Sequence, residues 1–148
     1  MRTLGVITSL FPDALPCIQS LRARAQRDKH PIQIGIMSNG FIYKDLLTRK
    51  YPDFMNLFDF WIQASDVGAL KPSNIPFIAC INASKSIPRN ILYVGDTYSK
   101  DIIGGREMNI HTCWLNRTNE IKDMNIPKNE VYISSLNPIE FEAYIDNI

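Results

Sequence analysis

The strongest constraint on this chain is an alternation. Short apolar runs compatible with strands are separated by segments of helical periodicity, and each run stops abruptly at small or polar residues. After Pro12-Asp13, residues Ala14, Ile18, Leu21 and Ala25 recur at helical spacing. Strand-like runs follow at Ile32 to Met37, Phe58 to Ile62, Ile91 to Val94, His111 to Leu115 and Val131 to Ile133. Helices are expected between them, over Ile42 to Arg49, Pro76 to Ser84 and Asp101 to Met108, and a last one over Pro138 to Ile145. This order predicts an α/β fold, a Rossmann-like parallel sheet in three layers with helices on both faces. No Gly-, Ser- or Pro-rich stretch reads as a linker and no repeat is visible, so residues 1–148 are expected to form one domain.

Composition narrows the class further. Sixteen basic and fifteen acidic residues give a formal charge of +1, with no run of either sign, which argues against a nucleic-acid partner. The longest apolar run is far short of the roughly 18 to 20 residues that cross a bilayer, and the N-terminus lacks the apolar length of a secretory signal. Cys17, Cys80 and Cys113 are odd in number and widely spaced, which speaks for buried free thiols rather than a disulfide framework or zinc site. A cytoplasmic protein without a membrane partner is the expectation.

In a parallel α/β sheet, ligands bind beyond the carboxyl ends of the strands, so polar residues just after strands carry the functional information. Three places qualify. Ser38-Asn39-Gly40 offers a hydroxyl, an amide and a flexible glycine, donors suited to a phosphate oxygen, although the same triplet is also an ordinary turn. Lys71, before Pro72, could neutralise a phosphate or is simply a solvated charge. Asp96, after the strand ending at Val94, and Asp101, at a helix start, are hard oxygen ligands suited to Mg2+, or else a turn terminator and a helix cap.

The order of these three places changes their weight. An apolar strand with Ser-Asn-Gly, a loop Lys-Pro, then an apolar strand with Gly-Asp and a second Asp resemble three successive motifs of the haloacid dehalogenase superfamily, phosphatase type. Phe11 to Pro16 resembles the passage from cap to core in capped members, and Asn109 to Asn116 the strand after the metal motif. The resemblance implies hydrolysis of a small phosphorylated metabolite through an aspartyl-phosphate. It makes Ser38 and Lys71 catalytic, Ser38, Asn39, Gly40 and Lys71 substrate-binding, and Asp96 and Asp101 ligands of Mg2+.

The family's Asp-x-Asp nucleophile motif is absent before Ser38, where the only acidic residues are Asp13 and Asp28, both in or beside the expected first helix. Magnesium binding is therefore expected to be weak or absent, and the chain to be a truncated and inactive or incomplete phosphatase. The family's nucleophile strand is central, so a gap is expected between the strands ending at Met37 and Val94. Residues 1–10 read as a cap remnant or, through Leu4 to Thr8, as a substitute strand. A homodimer or an exchanged strand would also fill the gap. The alternative function is a non-catalytic phosphate- or metal-binding or protein-interaction module derived from such a phosphatase. A receiver-type domain fits less well, having no use for Ser38-Asn39-Gly40 with Lys71. Phe60, Trp61 and Trp114 are expected in the core, and Arg106 as a solvated helix residue.

Overall fold

The computed structural model describes residues 10–40 and 44–148. The element order is α1 (Ala14–Asp28), β1 (Gly35–Ser38), α2 (Lys44–Lys50), α3 (Pro52–Met55), β2 (Phe60–Gln63), α4 (Asn74–Ser84), β3 (Leu92–Gly95), α5 (Ile103–Glu107), β4 (His111–Leu115), β5 (Tyr132–Ile133) and α6 (Pro138–Asp146). This is the α/β alternation expected from the sequence. All strand pairs are parallel.

The chain enters β1 later than its apolar run suggests, for a reason visible in the backbone accounting. Arg22 of α1 donates to the Ile32 carbonyl at 2.8 Å, and the Ile34 N–H donates to the Asp59 carboxylate at 2.7 Å. These groups are therefore engaged by side chains, and the ladder starts only where Gly35 meets Phe60. Arg22 also reaches Asp59 at 2.7 Å, so one α1 side chain pins the entries of both β1 and β2. A Cβ on Gly35 would lie 2.1 Å from the Phe60 ring, so only glycine allows this pairing.

The expected helix over Asp101 to Met108 differs in its first turn. Tyr98–Ile102 forms a π turn, in which the Lys100 and Asp101 N–H groups both donate to the Thr97 carbonyl at 3.1 and 2.7 Å, and the α-helix begins only at Ile103. At α4 the Ser73 hydroxyl accepts the Ile75 N–H, which starts that helix at Asn74, ahead of the proline.

Alternation along β3 and β4 builds the layers. Leu92, Val94, Cys113 and Leu115 join a core with Cys17 and Leu21 of α1 and Phe141, Tyr144 and Ile145 of α6. Their neighbours face the other way. Tyr93 packs edge-on against Phe77 of α4 with ring centroids 5.4 Å apart, and a Cβ on Gly105 of α5 would meet the Thr112 side chain. Helices thus cover both faces. Of the three aromatics expected in the core, Trp114 is buried, whereas Phe60 and Trp61 are partly exposed. All three cysteines are free and buried, and burial pushes Cys17 up to about 11 and Cys113 up to about 12, which keeps both as thiols.

The strands form two ladders rather than one. β1 pairs with β2, and β3 with β4 and β4 with β5, so among the described residues β1 and β3 each carry a partner on one side only. The separation falls at the expected place, between Met37 and Val94. Leu4 to Thr8, the expected substitute strand, lies outside the described residues.

Candidate phosphate site

The carboxyl ends of β1 and β3 belong to different ladders, and one loop ties them together. The Asn39 side chain makes a two-way bridge to the backbone of Lys71, accepting its N–H at 2.7 Å and donating to its carbonyl at 3.0 Å. Asn39 thereby holds the Lys71 backbone to the end of β1, with one of its two amide N–H donors engaged on the loop. The Lys71-Pro72 peptide is cis.

Held in this way, Lys71 turns its ammonium toward β3. Nζ donates to Asp101 Oδ1 at 2.5 Å and to the Tyr93 hydroxyl at 2.8 Å. The ion pair is buried, with side-chain exposures of 10% for Lys71 and 3% for Asp101. Removing either partner of such a pair strands the other charge, at a cost of about 3–5 kcal/mol. Among the described residues two acceptors account for two of the three ammonium protons. At the end of β1, the Ser38 hydroxyl accepts the Gly40 N–H at 3.2 Å, and its own proton meets no acceptor among the described residues.

Asp96 and Asp101 differ sharply. Asp101 is 2% exposed and its second oxygen accepts the Thr97 N–H at 2.9 Å, so its carboxylate is taken up by Lys71, Tyr93 and the loop backbone. Gly95 makes this closure possible, since a Cβ there would stand 2.3 Å from that of Asp101. Asp96 is exposed, and the Trp114 indole fixes its backbone by donating to its carbonyl at 3.1 Å. Among the described residues no group of three or more His, Cys, Asp or Glu side chains converges. Of the two expected ligands, Asp96 presents the exposed carboxylate, whose Oδ1 accepts the Thr97 hydroxyl at 3.3 Å.

The acidic residues before Ser38 are both engaged in ion pairs with arginines. Asp13 is clamped by both guanidinium nitrogens of Arg117 at 2.8 and 2.9 Å and accepts the Leu136 N–H, and Arg117 holds its carboxyl below the usual range. Asp28 pairs with Arg24 and Arg27 on the α1 surface.

Two features were not anticipated from the sequence. Tyr93 reads as one more apolar strand residue, yet its hydroxyl completes the Lys71–Asp101 contact; a polar-tipped aromatic next to Gly-Asp was the available signal. Arg106 is an exposed helix residue as expected, and it also reaches Glu130 at 2.6 Å, Thr112 at 3.2 Å and Tyr98 at 3.3 Å, which was not expected. Glu130 comes from a loop 24 positions on, which a helix wheel cannot show.

Comparison with known proteins agrees with this layout. Residues 7–115 match the haloacid dehalogenase-like hydrolases. The chain is 28% identical over 117 residues to the pyrimidine 5'-nucleotidase YjjG of Escherichia coli K12, covering 78% of this chain and 49% of that protein. A phosphatase of this superfamily from Thermococcus onnurineus superposes with a TM-score of 0.74 at 26% identity, over 93% of this chain and 58% of the other. The fold is also that of the Bacillus subtilis hydrolase YfnB, solved with magnesium, with a TM-score of 0.73 at 22% identity over 95% and 57% of the two chains. The chain spans about half the length of the curated relative it matches. With its strand-end residues in the family's order and most of its length matched, the chain belongs to the haloacid dehalogenase-like hydrolase family.

Proposed function

We propose that the chain provides the phosphate-positioning part of a phosphomonoester hydrolase site for a small phosphorylated metabolite, and that these 148 residues do not turn substrate over unaided. The observation that carries the reading is the buried Lys71 ammonium, fixed 2.5 Å from Asp101 in a loop that Asn39 ties to the end of β1. It supplies a positive charge close to the strand ends where ligands of α/β sheets bind. Ser38 adds a hydroxyl donor and Gly40 a backbone without a side chain. The nucleotidase activity of the Escherichia coli relative supports a phosphate ester as the ligand class.

The chemistry itself calls for a carboxylate nucleophile. Asp13 and Asp28 are engaged in ion pairs with arginines, and Asp96 lies on the metal side of the motif. Magnesium, when bound, would polarise a phosphoryl oxygen and meet Asp96; with Asp101 held by Lys71, affinity for the ion is low. We further propose that the open edges of β1 and β3 are covered by self-association, with a second copy exchanging a strand. Free buried thiols support a cytoplasmic location, and no helix among the described residues is long and apolar enough to cross a membrane.

A second reading, a non-catalytic phosphate-binding module, is favoured by the same engagement of the acidic residues. Both readings expect the same of the isolated chain. With p-nitrophenyl phosphate and magnesium, the purified chain is expected to show no hydrolysis above buffer, while binding inorganic phosphate in a manner that Lys71→Met abolishes. Turnover that Asp96→Asn removes would overturn the inactivity and require another nucleophile.

A further inference from the structure

We propose that Tyr93 is a positioning residue, whose phenol locks the Lys71 ammonium in one orientation and thereby sets the affinity of the strand-end site for a phosphate-like anion. The inference rests on the phosphate reading given above and assigns a part to a residue outside the family-like motifs.

The contacts form a closed triangle. Lys71 Nζ donates to the Tyr93 hydroxyl at 2.8 Å and to Asp101 Oδ1 at 2.5 Å, and the same hydroxyl donates to Asp101 Oδ1 at 3.2 Å. Each participant constrains the others. An ammonium with a single acceptor rotates about its Cε–Nζ bond, and its two remaining protons sweep a cone. A second acceptor stops that rotation and gives the third proton a fixed direction. Lysine has a flexible four-carbon stem, so its usual cost on binding an anion is the ordering of that stem. Here the ordering precedes the ligand, which is the condition under which a donor is most effective.

Tyr93 is well built for this part. It sits on a strand, its ring meets Phe77 edge-on at 5.4 Å, and Phe77 is fully buried in α4.

The test compares the wild-type chain with Tyr93→Phe and Lys71→Met, using inorganic phosphate as the probe. Tyr93→Phe keeps the ring and its Phe77 contact and removes only the hydroxyl. By calorimetric titration its phosphate affinity is expected to fall about three- to tenfold, the size of one hydrogen bond's net contribution. In nitrogen–proton correlation spectra, the wild type is expected to show a slowly exchanging lysine ammonium resonance near the Tyr93 ring protons. That resonance should be absent in Lys71→Met and broadened away in Tyr93→Phe, a change that a general loss of packing would not single out. An unchanged resonance and unchanged affinity in Tyr93→Phe would overturn the proposal. So would the absence of any such resonance in the wild type, a measurement that does not depend on the variant folding. If the wild type fails to bind phosphate while Tyr93→Phe still loses the resonance, the phosphate reading falls and the hold of Tyr93 on Lys71 stands.

Discussion

Glu130 shows how one residue ties the metal-motif loop to the remainder of its ladder. It receives Arg106 at 2.6 Å and the Tyr98 hydroxyl at 2.7 Å, and the Tyr98 ring stacks edge-on against Trp114, which in turn holds the Asp96 carbonyl. Hydrogen bonding from Arg106, opposed by burial and aided by Tyr98, keeps the Glu130 carboxyl below its ordinary value of 4.5. A carboxyl lowered by folding adds stability that is fully present above its unfolded value and lost as pH falls through its folded value. The urea midpoint of the wild type is therefore expected to drop as pH falls below about 4.5 more steeply than that of Glu130→Gln. The variant keeps part of the acid dependence, because Asp13, Asp59 and Glu140 are lowered as well. Parallel acid limbs in the two proteins would show that the Arg106 pair contributes nothing to stability.

Among the elements, the junction of β3 with the π turn at Tyr98–Ile102 matters most for the site. The turn folds Asp101 back over Gly95 so closely that a Cβ on Gly95 would lie 2.3 Å from the Asp101 Cβ and 2.5 Å from its Oδ2. Gly95→Ala must push the turn off the strand, and with it the carboxylate that holds Lys71. Overpacking of this kind costs about 1–3 kcal/mol. Denaturant unfolding should show that loss, together with weaker phosphate binding. Stability within a few tenths of a kcal/mol of wild type would mean that the turn has room which the closure of Asp101 over Gly95 denies.

For the molecule as a whole, the division into a β1–β2 ladder and a β3–β4–β5 ladder dominates. The two are joined near the site through Asn39, Lys71 and Asp101, while the ladder groups on one side of β1 and β3 have no strand partner among the described residues. Unpaired edges of this kind recruit strands. Sedimentation velocity at micromolar concentrations should find a dimer or larger assembly, and a monomer throughout would remove self-association as the means of covering the edges. The alternation of strands and helices, the parallel sheet and the placing of Ser38, Lys71 and Asp96 after strands were all legible in the sequence, because apolar periodicity and chain order are local properties. An opening between Met37 and Val94 was expected from the motif order and the absence of an Asp-x-Asp pair, and among the described residues no strand pairs with both β1 and β3. Which side chains meet was not. Asp101 reads equally well as a metal ligand or a helix cap until Lys71, 30 positions away, is found against it. Arg106 reads as unpaired until Glu130, 24 positions on, is found 2.6 Å from it. Sequence by itself determined the fold class and the order of the motif residues along it, since both follow from local pattern. Only the tertiary structure decided the partner of each charge, because that depends on contacts between segments that are distant along the chain.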